Sequence, residues 1–292
     1  MASRASLLNR SSEVRTDSAH LETLLSQASV FEVAGGKVRV RDGRLSFLSQ
    51  PLDHSVMSKE KYFLGLSLDD HTPYFAVQVS EPDESFQSLR EVATEFSPLE
   101  LELALHAVAL SNWHQAHPYC SRCGAPTRID LGGAARICDQ DQVQHHPRTD
   151  GAVIVLVKDR ADRILLGHQQ VWPEGRMSNL AGFLEPGETF EQCVRREVRE
   201  ESNITVAEMR YLGSQPWPFP ASVMIAFEAI TDHPEDATPD GSEITELRWF
   251  TRDELRAAAA DGSLLLPPTI SVARAMIELW LGEKAEGASA WR

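Results

Sequence analysis

Residues 182–204 read GFLEPGETFEQCVRREVREESNI. Thr189 followed three residues later by Gln192 is a capping-box pair, so a helix is predicted to start there. At about 100° per residue, Phe190, Cys193 and Val194 share one face. The same face continues into Glu197, Glu200 and Glu201, spaced i, i+3 and i+4. Arg195 and Arg199 point the other way. Three carboxylates so close repel one another and do not all stay ionised without a counter-charge. A hard divalent cation such as Mg²⁺ or Mn²⁺ supplies one, because it prefers oxygen ligands. The plain alternative is a solvated acidic face paired with arginines.

The wider spacing favours the metal. Gly182, five residues, Glu188, seven residues, then Arg196-Glu197-Val198-x-Glu200-Glu201 resembles the signature of the Nudix hydrolases. That pattern closes on Glu-Glu-x-Gly and a hydrophobic residue; this chain has Asn203 in place of the glycine, then Ile204. Asn tolerates the left-handed conformation that ends a helix, so the departure is mild. The resemblance implies hydrolysis of a nucleoside diphosphate linked to another group, with Mg²⁺ or Mn²⁺ as catalytic ion. It implies Glu197, Glu200 and Glu201 as metal-holding carboxylates, with Glu201 bridging metals or contacting the water. Arg196 would orient Glu200, Glu188 would brace the loop and helix, and Gly182 would let the backbone approach closely.

Ten residues beyond this box, Ser214–Ser222 reads SQPWPFPAS. It resembles the SQPWPFPxS element of the NADH pyrophosphatase branch of that family. Three prolines in five residues stiffen the segment and interleave Trp217 with Phe219, a wall suited to a planar ring. A Pro-rich hairpin whose aromatics fill the core is the plain alternative. The resemblance further places Gln215 near the substrate, Ser222 at the pocket, Phe183 against the bound ring and the Ala273 backbone at the base. It makes Glu243 a metal-binding glutamate outside the box, with Glu246 the other candidate. His146 stands where the family usually has an aromatic. The activity implied is cleavage of NAD(H) to NMN(H) and AMP, with removal of NAD caps from RNA 5′ ends as a second activity. A pyrophosphatase preferring ADP-ribose and a nucleotide-binding regulator with a dead site are the rivals. The intact SQPWPFPxS element and the full carboxylate set disfavour them.

Four cysteines do not make one cluster. Cys120-x-x-Cys123-Gly is a zinc-knuckle signature, and Cys138 follows at ribbon spacing. A fourth cysteine would fall at 141, where this chain has Asp141. Asp141 is therefore the expected fourth zinc ligand, with the imidazole of His145 or His146 as the alternative. A ribbon holding no zinc is the remaining reading. The zinc would be structural, one per chain. Cys193 lies among core residues of the helix and reads as a small apolar side chain.

At 292 residues the chain has room for about two domains. No run of about 18 apolar residues occurs, so no membrane span is expected. The opening MASRASLLNRSSEVRTDS lacks the apolar core of a secretory signal, and the terminal Ala-Ser-Ala-Trp-Arg is not a peroxisomal tripeptide. A cytoplasmic protein is expected. A net charge of −15 argues against general nucleic-acid binding, since phosphate affinity comes mostly from Lys and Arg. It leaves room for a single RNA 5′ end at the site.

The expected fold class is α+β in three parts: an α+β N-terminal domain over 21–115, a zinc ribbon over 116–149 and a Nudix α/β/α sandwich over 150–292, preceded by a flexible tail, 1–20. Strands are expected within 30–49 and over 61–67, 74–79, 151–157, 163–167, 222–230 and 246–250. Helices are expected over 99–114 (Leu101, Leu105 and Val108 on one face), 253–260 and 270–281. The Pro-rich segment and an exposed apolar C-terminal helix, together with the resemblance, lead us to expect a homodimer.

Overall fold

The computed structural model describes residues 5–287. The terminal pentapeptide 288–292 lies outside them. By contacts the chain divides into two compact units, one of residues 4–149 with 217–221, the other of 150–216 and 222 onward.

The first unit carries a seven-stranded sheet. Its elements are β1 (Leu8–Asn9), α1 (Ser18–Leu25), β2 (Ser29–Ala34), β3 (Lys37–Arg41), β4 (Arg44–Leu45), α2 (His54–Met57), β5 (Lys61–Ser67), β6 (Pro73–Gln78), β7 (Phe86–Ser88), α3 (Leu89–Val92) and α4 (Pro98–Ala116). The strand order is β1-β5-β6-β2-β3-β4, with β7 on β3 and a parallel β2–β6 pair. Of the expected tail, residues 1–4 lie outside the described residues, and the rest is tied down. Leu8 and Asn9 pair with Ser67 and Leu66, Glu102 accepts hydrogen bonds from Ser6 Oγ and Leu7 N, and α1 already starts at Ser18 with an Asp17 cap. Gly65 makes that pairing possible, because a Cβ there would collide with the Asn9 carbonyl.

Helix α4 begins at the Ser97–Glu100 capping box with Pro98 in its first turn. Its buried face is not the one expected. Leu103, Ala104, Ala107, Val108 and Ser111 are buried, whereas Leu101 and Leu105 are only half-buried. The apolar residues run around much of the helix, so periodicity alone did not single out the core side. The ribbon follows as β8 (Thr127–Asp130), β9 (Ala135–Cys138) and β10 (Gln144–His145), ordered β10-β9-β8. It is fastened to α4 by Arg136, a buried guanidinium that donates to Thr127 Oγ1, the Thr127 carbonyl and His114 Nδ1. His114 donates from Nε2 to the Gly133 carbonyl and stacks on Tyr62.

The second unit contains β11 (Asp150–Asp159), β12 (Ile164–Gln169), β13 (Leu180–Phe183), α5 (Phe190–Ser202), β14 (Glu208–Trp217), β15 (Ser222–Thr231), β16 (Ile244–Phe250), α6 (Arg252–Asp261) and α7 (Val272–Leu281). Its sheet runs β14-β15-β11-β12-β16, with β13 on β11. The run Val153–Val157 is apolar throughout because both faces of β11 are covered. Val153, Val155 and Val157 pack under α5 with Cys193, Val194 and Val198. Ile154 and Leu156 pack on the other side with α6 and α7. This is the expected sandwich. The apolar stripe of α7, however, is not exposed: Val272, Met276, Ile277, Trp280 and Leu281 are buried against β11 and α6, and Leu279 is the large apolar residue left outside. That argument for a dimer therefore fails. The apolar side chains judged free were the core of this unit. No helix among the described residues is long and apolar enough to cross a membrane.

Candidate active site

Helix α5 is placed by its caps. Thr189 and Gln192 close a reciprocal capping box, and Asn203 ends the helix at φ 60°, in the left-handed region. Its faces then part. Cys193, Val194 and Val198 are buried on the sheet, whereas Phe190 is exposed, against expectation, because it sits in the first turn beyond the sheet edge. Of the three box glutamates, Glu201 is buried, Glu197 half-buried and Glu200 exposed.

Strand β13 supplies the opposing wall. Leu180 and Gly182 turn toward α5, and Ala181 toward α7. The Glu197 carboxylate occupies the space a side chain at 182 would need, which is the physical reason for a glycine there. The Ala181 N–H donates to Glu201 Oε2 at 3.2 Å. Arg196 ties the remaining charges together. Its guanidinium donates to both oxygens of Glu188, to Glu197 Oε1 (2.7 Å), to Glu200 Oε2 (3.0 Å) and to the Phe183 carbonyl. Glu188 also accepts from Glu185 N–H, closing the loop before the helix. The Arg196 pair holds the Glu188 carboxyl down at about 2.

Electrostatics single out Glu201. Burial, then the charges of Glu243 and Glu197, push its carboxyl up to about 8. Burial also raises Glu197, outweighing Arg196. Glu243 thus lies close enough to act on both. It is set by two contacts. The Asp240 carboxylate accepts from the N–H groups of Ser242, Glu243 and Ile244, and Gln169 Nε2 donates to Glu243 Oε1 at 3.1 Å. Glu246, the other candidate, is exposed on β16 opposite His168. Oxygen donors whose mutual charge opposes ionisation are a set that a hard cation would relieve, so these residues fit Mg²⁺ or Mn²⁺.

Phe183 is largely exposed at the end of β13, with its ring free for a partner. Ser222 is buried at the start of β15, and Ala273 lies in the first turn of α7. Both ends of the Gln215 amide are engaged within the chain: Nε2 donates to the Ile270 carbonyl and Oε1 accepts from Val272 N–H, each at 2.7 Å. Trp217 and Phe219 group with the first unit, their rings edge-to-face at 5.2 Å. Arg90 lies over the Phe219 ring, and Asn112 Nδ2 donates to the Pro218 carbonyl. His146 belongs to the first unit and is exposed. The sequence could have flagged Asp240, since Asp-Gly-Ser is an Asx-turn pattern. The Ala181 N–H and the Asn179 side chain carried no such signal.

In the ribbon, Sγ of Cys120, Cys123 and Cys138 and a carboxylate oxygen of Asp141 all lie within 4.8 Å of one another, the one such set among the described residues. Backbone N–H groups of Arg122, Gln140 and Asp141 point at the sulfurs, each at 3.4 Å. Such donors favour thiolates, and the set fits zinc. His145 Nε2 lies 3.3 Å from Cys120 Sγ, so the imidazole is also within reach. Cys193 lies apart, in the core beneath α5.

Three family models match successive parts of the chain: an NADH pyrophosphatase-like rudimentary NUDIX domain over 19–113, an NADH pyrophosphatase zinc ribbon domain over 115–145 and a NUDIX domain over 147–266. The sheets agree with that description. The order β5-β6-β2-β3 around a parallel pair repeats β14-β15-β11-β12, but the first unit has only the four-residue α2 between β4 and β5 and no counterpart of α5 there. The chain is 45% identical over 212 residues to the NAD-capped RNA hydrolase NudC of Mycobacterium bovis, covering 69% of this chain and 68% of that one. It is 37% identical over 224 residues to the protein of that name from Stutzerimonas stutzeri, covering 75% and 78%. A solved NUDIX hydrolase from Nitrosomonas europaea aligns with 26% identity and TM-score 0.44, over 59% of this chain and 97% of that one. By the family models and the two relatives, the chain belongs to the Nudix hydrolase family, in the branch that joins a rudimentary Nudix domain and a zinc ribbon to a full Nudix domain.

Proposed function

We propose that the chain hydrolyses the pyrophosphate of NAD(H), giving NMN(H) and AMP, and removes NAD caps from RNA 5′ ends. The observation that carries this reading is the complete carboxylate set of α5 and Glu243, beside an intact SQPWPFPAS segment in a chain 45% identical to a NAD-capped RNA hydrolase. In this reading Glu197, Glu200, Glu201 and Glu243 would hold Mg²⁺ or Mn²⁺, an ion that neutralises phosphate charge and makes a bound water more acidic. Burial and the charges of Glu243 and Glu197 hold the Glu201 carboxyl up, so a bound cation would be what brings it into the ionised form that can accept a proton. Arg196 keeps the carboxylates splayed and oriented without touching the substrate. Phe183 would stack on a ring, with Ser222 and the Ala273 backbone lining the pocket. Trp217, Phe219 and His146 are assigned to ring binding from the family resemblance.

The same proposal assigns the ribbon one structural zinc on Cys120, Cys123, Cys138 and Asp141, with His145 the alternative fourth ligand. It sets domain bounds at 21–115, 116–149 and 150–292, and describes a cytoplasmic homodimer. The dimer rests on the resemblance; full activity from a monomer by light scattering would reject it. The deciding experiment offers purified protein equal NADH, NAD⁺, ADP-ribose and NAD-capped RNA with Mn²⁺ or Mg²⁺, and resolves products by chromatography. AMP and NMNH from NADH, with NMN released from capped RNA, are expected. Turnover of ADP-ribose alone would refute the substrate, and no turnover at all would favour a regulator.

A further inference from the structure

The start of α7 is held by a side chain from β14 and one from the residue before β13. Gln215, on β14, spans the helix cap: its N–H donates to the Ile270 carbonyl just before the cap residue Ser271, and its carbonyl accepts from Val272 N–H just after it. Val272 N–H is one of the amides that a helix leaves without an internal partner, so this bond is part of the capping. Ser271 Oγ accepts from Ala273 N–H at 3.1 Å. Just before β13, Asn179 Nδ2 donates to the Ala273 carbonyl at 3.3 Å and approaches Met276 Sδ. Asn179 is buried, and its Oδ1 has no hydrogen-bond partner. Three backbone groups between 270 and 273 are thereby fixed from outside the helix, and a fourth by its own cap. Two residues further, on β13, the Ala181 N–H holds Glu201.

We infer that Gln215 is a positioning residue: with Asn179 it clamps the backbone at 270–273. The clamp keeps the Ala273 end of the pocket in register with β13, whose Ala181 N–H holds Glu201 of α5. This rests on the proposed pocket reading, in which the α7 start meets the base. The amide of Gln215 spends one of its two N–H donors and one of its two carbonyl lone pairs on the helix start, at 2.7 Å each, so the chain itself fixes its orientation. A small displacement of a pocket wall costs binding more than chemistry when the reacting groups stay where they are.

The test compares wild type with Gln215→Ala, Gln215→Glu and Asn179→Ala, reading NADH kinetics, Mn²⁺ affinity and hydrogen exchange at the 270–273 amides. For Gln215→Ala the expected result is a KM raised about tenfold with kcat and Mn²⁺ affinity within about twofold, and Val272 exchange accelerated at least about tenfold. Asn179→Ala should move KM in the same direction by less. Gln215→Glu still accepts from Val272 N–H but, ionised, cannot donate to Ile270. Relative to wild type at each pH it should recover as the pH falls toward 5 and the carboxyl regains a donor. Unchanged Val272 exchange in Gln215→Ala, or a fall in kcat at constant KM, would overturn the clamp. If Gln215→Ala does not fold, the pH recovery of Gln215→Glu decides. If wild type ignores NADH, the substrate reading falls while the exchange data still judge the clamp.

Discussion

Glu200 and Glu201 are neighbours in sequence and opposites in environment. One turn of 100° takes the chain from an exposed carboxylate paired with Arg196 to a buried one that meets only the Ala181 N–H. Replacing Glu201 by Gln removes a charge that its surroundings already disfavour. We therefore expect kcat to fall at least about 100-fold while the melting temperature holds or rises. A near-normal rate would refute Glu201 as the central carboxylate. Gly182→Ala is expected to do indirect damage of similar kind, because the new methyl would occupy the position of the Glu197 carboxylate. Weakened Mn²⁺ affinity with an unchanged far-UV spectrum is the signature to look for. Trp217→Ala should weaken nicotinamide dinucleotides more than it weakens metal binding; equal loss across all substrates would make Trp217 a packing residue.

At the scale of elements, the ribbon hangs on α4 through two buried polar residues. His114 is held neutral because burial lowers its pKa to about 4 and because Arg136 donates to its Nδ1. The unfolded chain takes up this proton near its ordinary pKa of about 6.5. The stability His114 contributes is therefore complete above about 6.5 and lost as pH falls toward 4, a window in which the unfolded state binds more protons. Urea midpoints followed by a ribbon or α4 probe should drop across that range, and His114→Gln should flatten the drop. Arg136→Met leaves His114 and Thr127 without a donor and is expected to destabilise the first unit by about 1–3 kcal/mol. Much at this scale was legible beforehand. Caps at Ser97, Thr189 and Asn203 are local chemistry, and a run such as Val153–Val157 can only be a strand buried on both faces. What escaped depended on partners far along the chain. The buried side of α4, the burial of α7 and the pairing of Leu8–Asn9 with β5 follow from what each meets in three dimensions, and no local pattern encodes that.

For the whole molecule, the two proposed metal sites belong to a chain of net charge −15, and they are built differently. The ribbon gathers three sulfurs and a carboxylate beside three short strands, with Cys138 at the end of β9 and Cys120, Cys123 and Asp141 in or beside the turns. Removing zinc should expose the ribbon to proteolysis and lower the first melting transition. A purified, tag-free protein with well under one zinc per chain would reject the ribbon site. The carboxylate site is not so dependent. Arg196 already bridges Glu188, Glu197 and Glu200 and stands between their charges before any cation arrives. A built-in guanidinium of this kind is a permanent placeholder for part of the positive charge. It lets the pocket wait, assembled, through cycles of ion loss and gain. Chelation should accordingly silence the enzyme without unfolding it, and readmitted Mn²⁺ should restore full rate within the mixing time. Inhibition at the glutamates would be a reversible switch, whereas stripping the ribbon would age the protein.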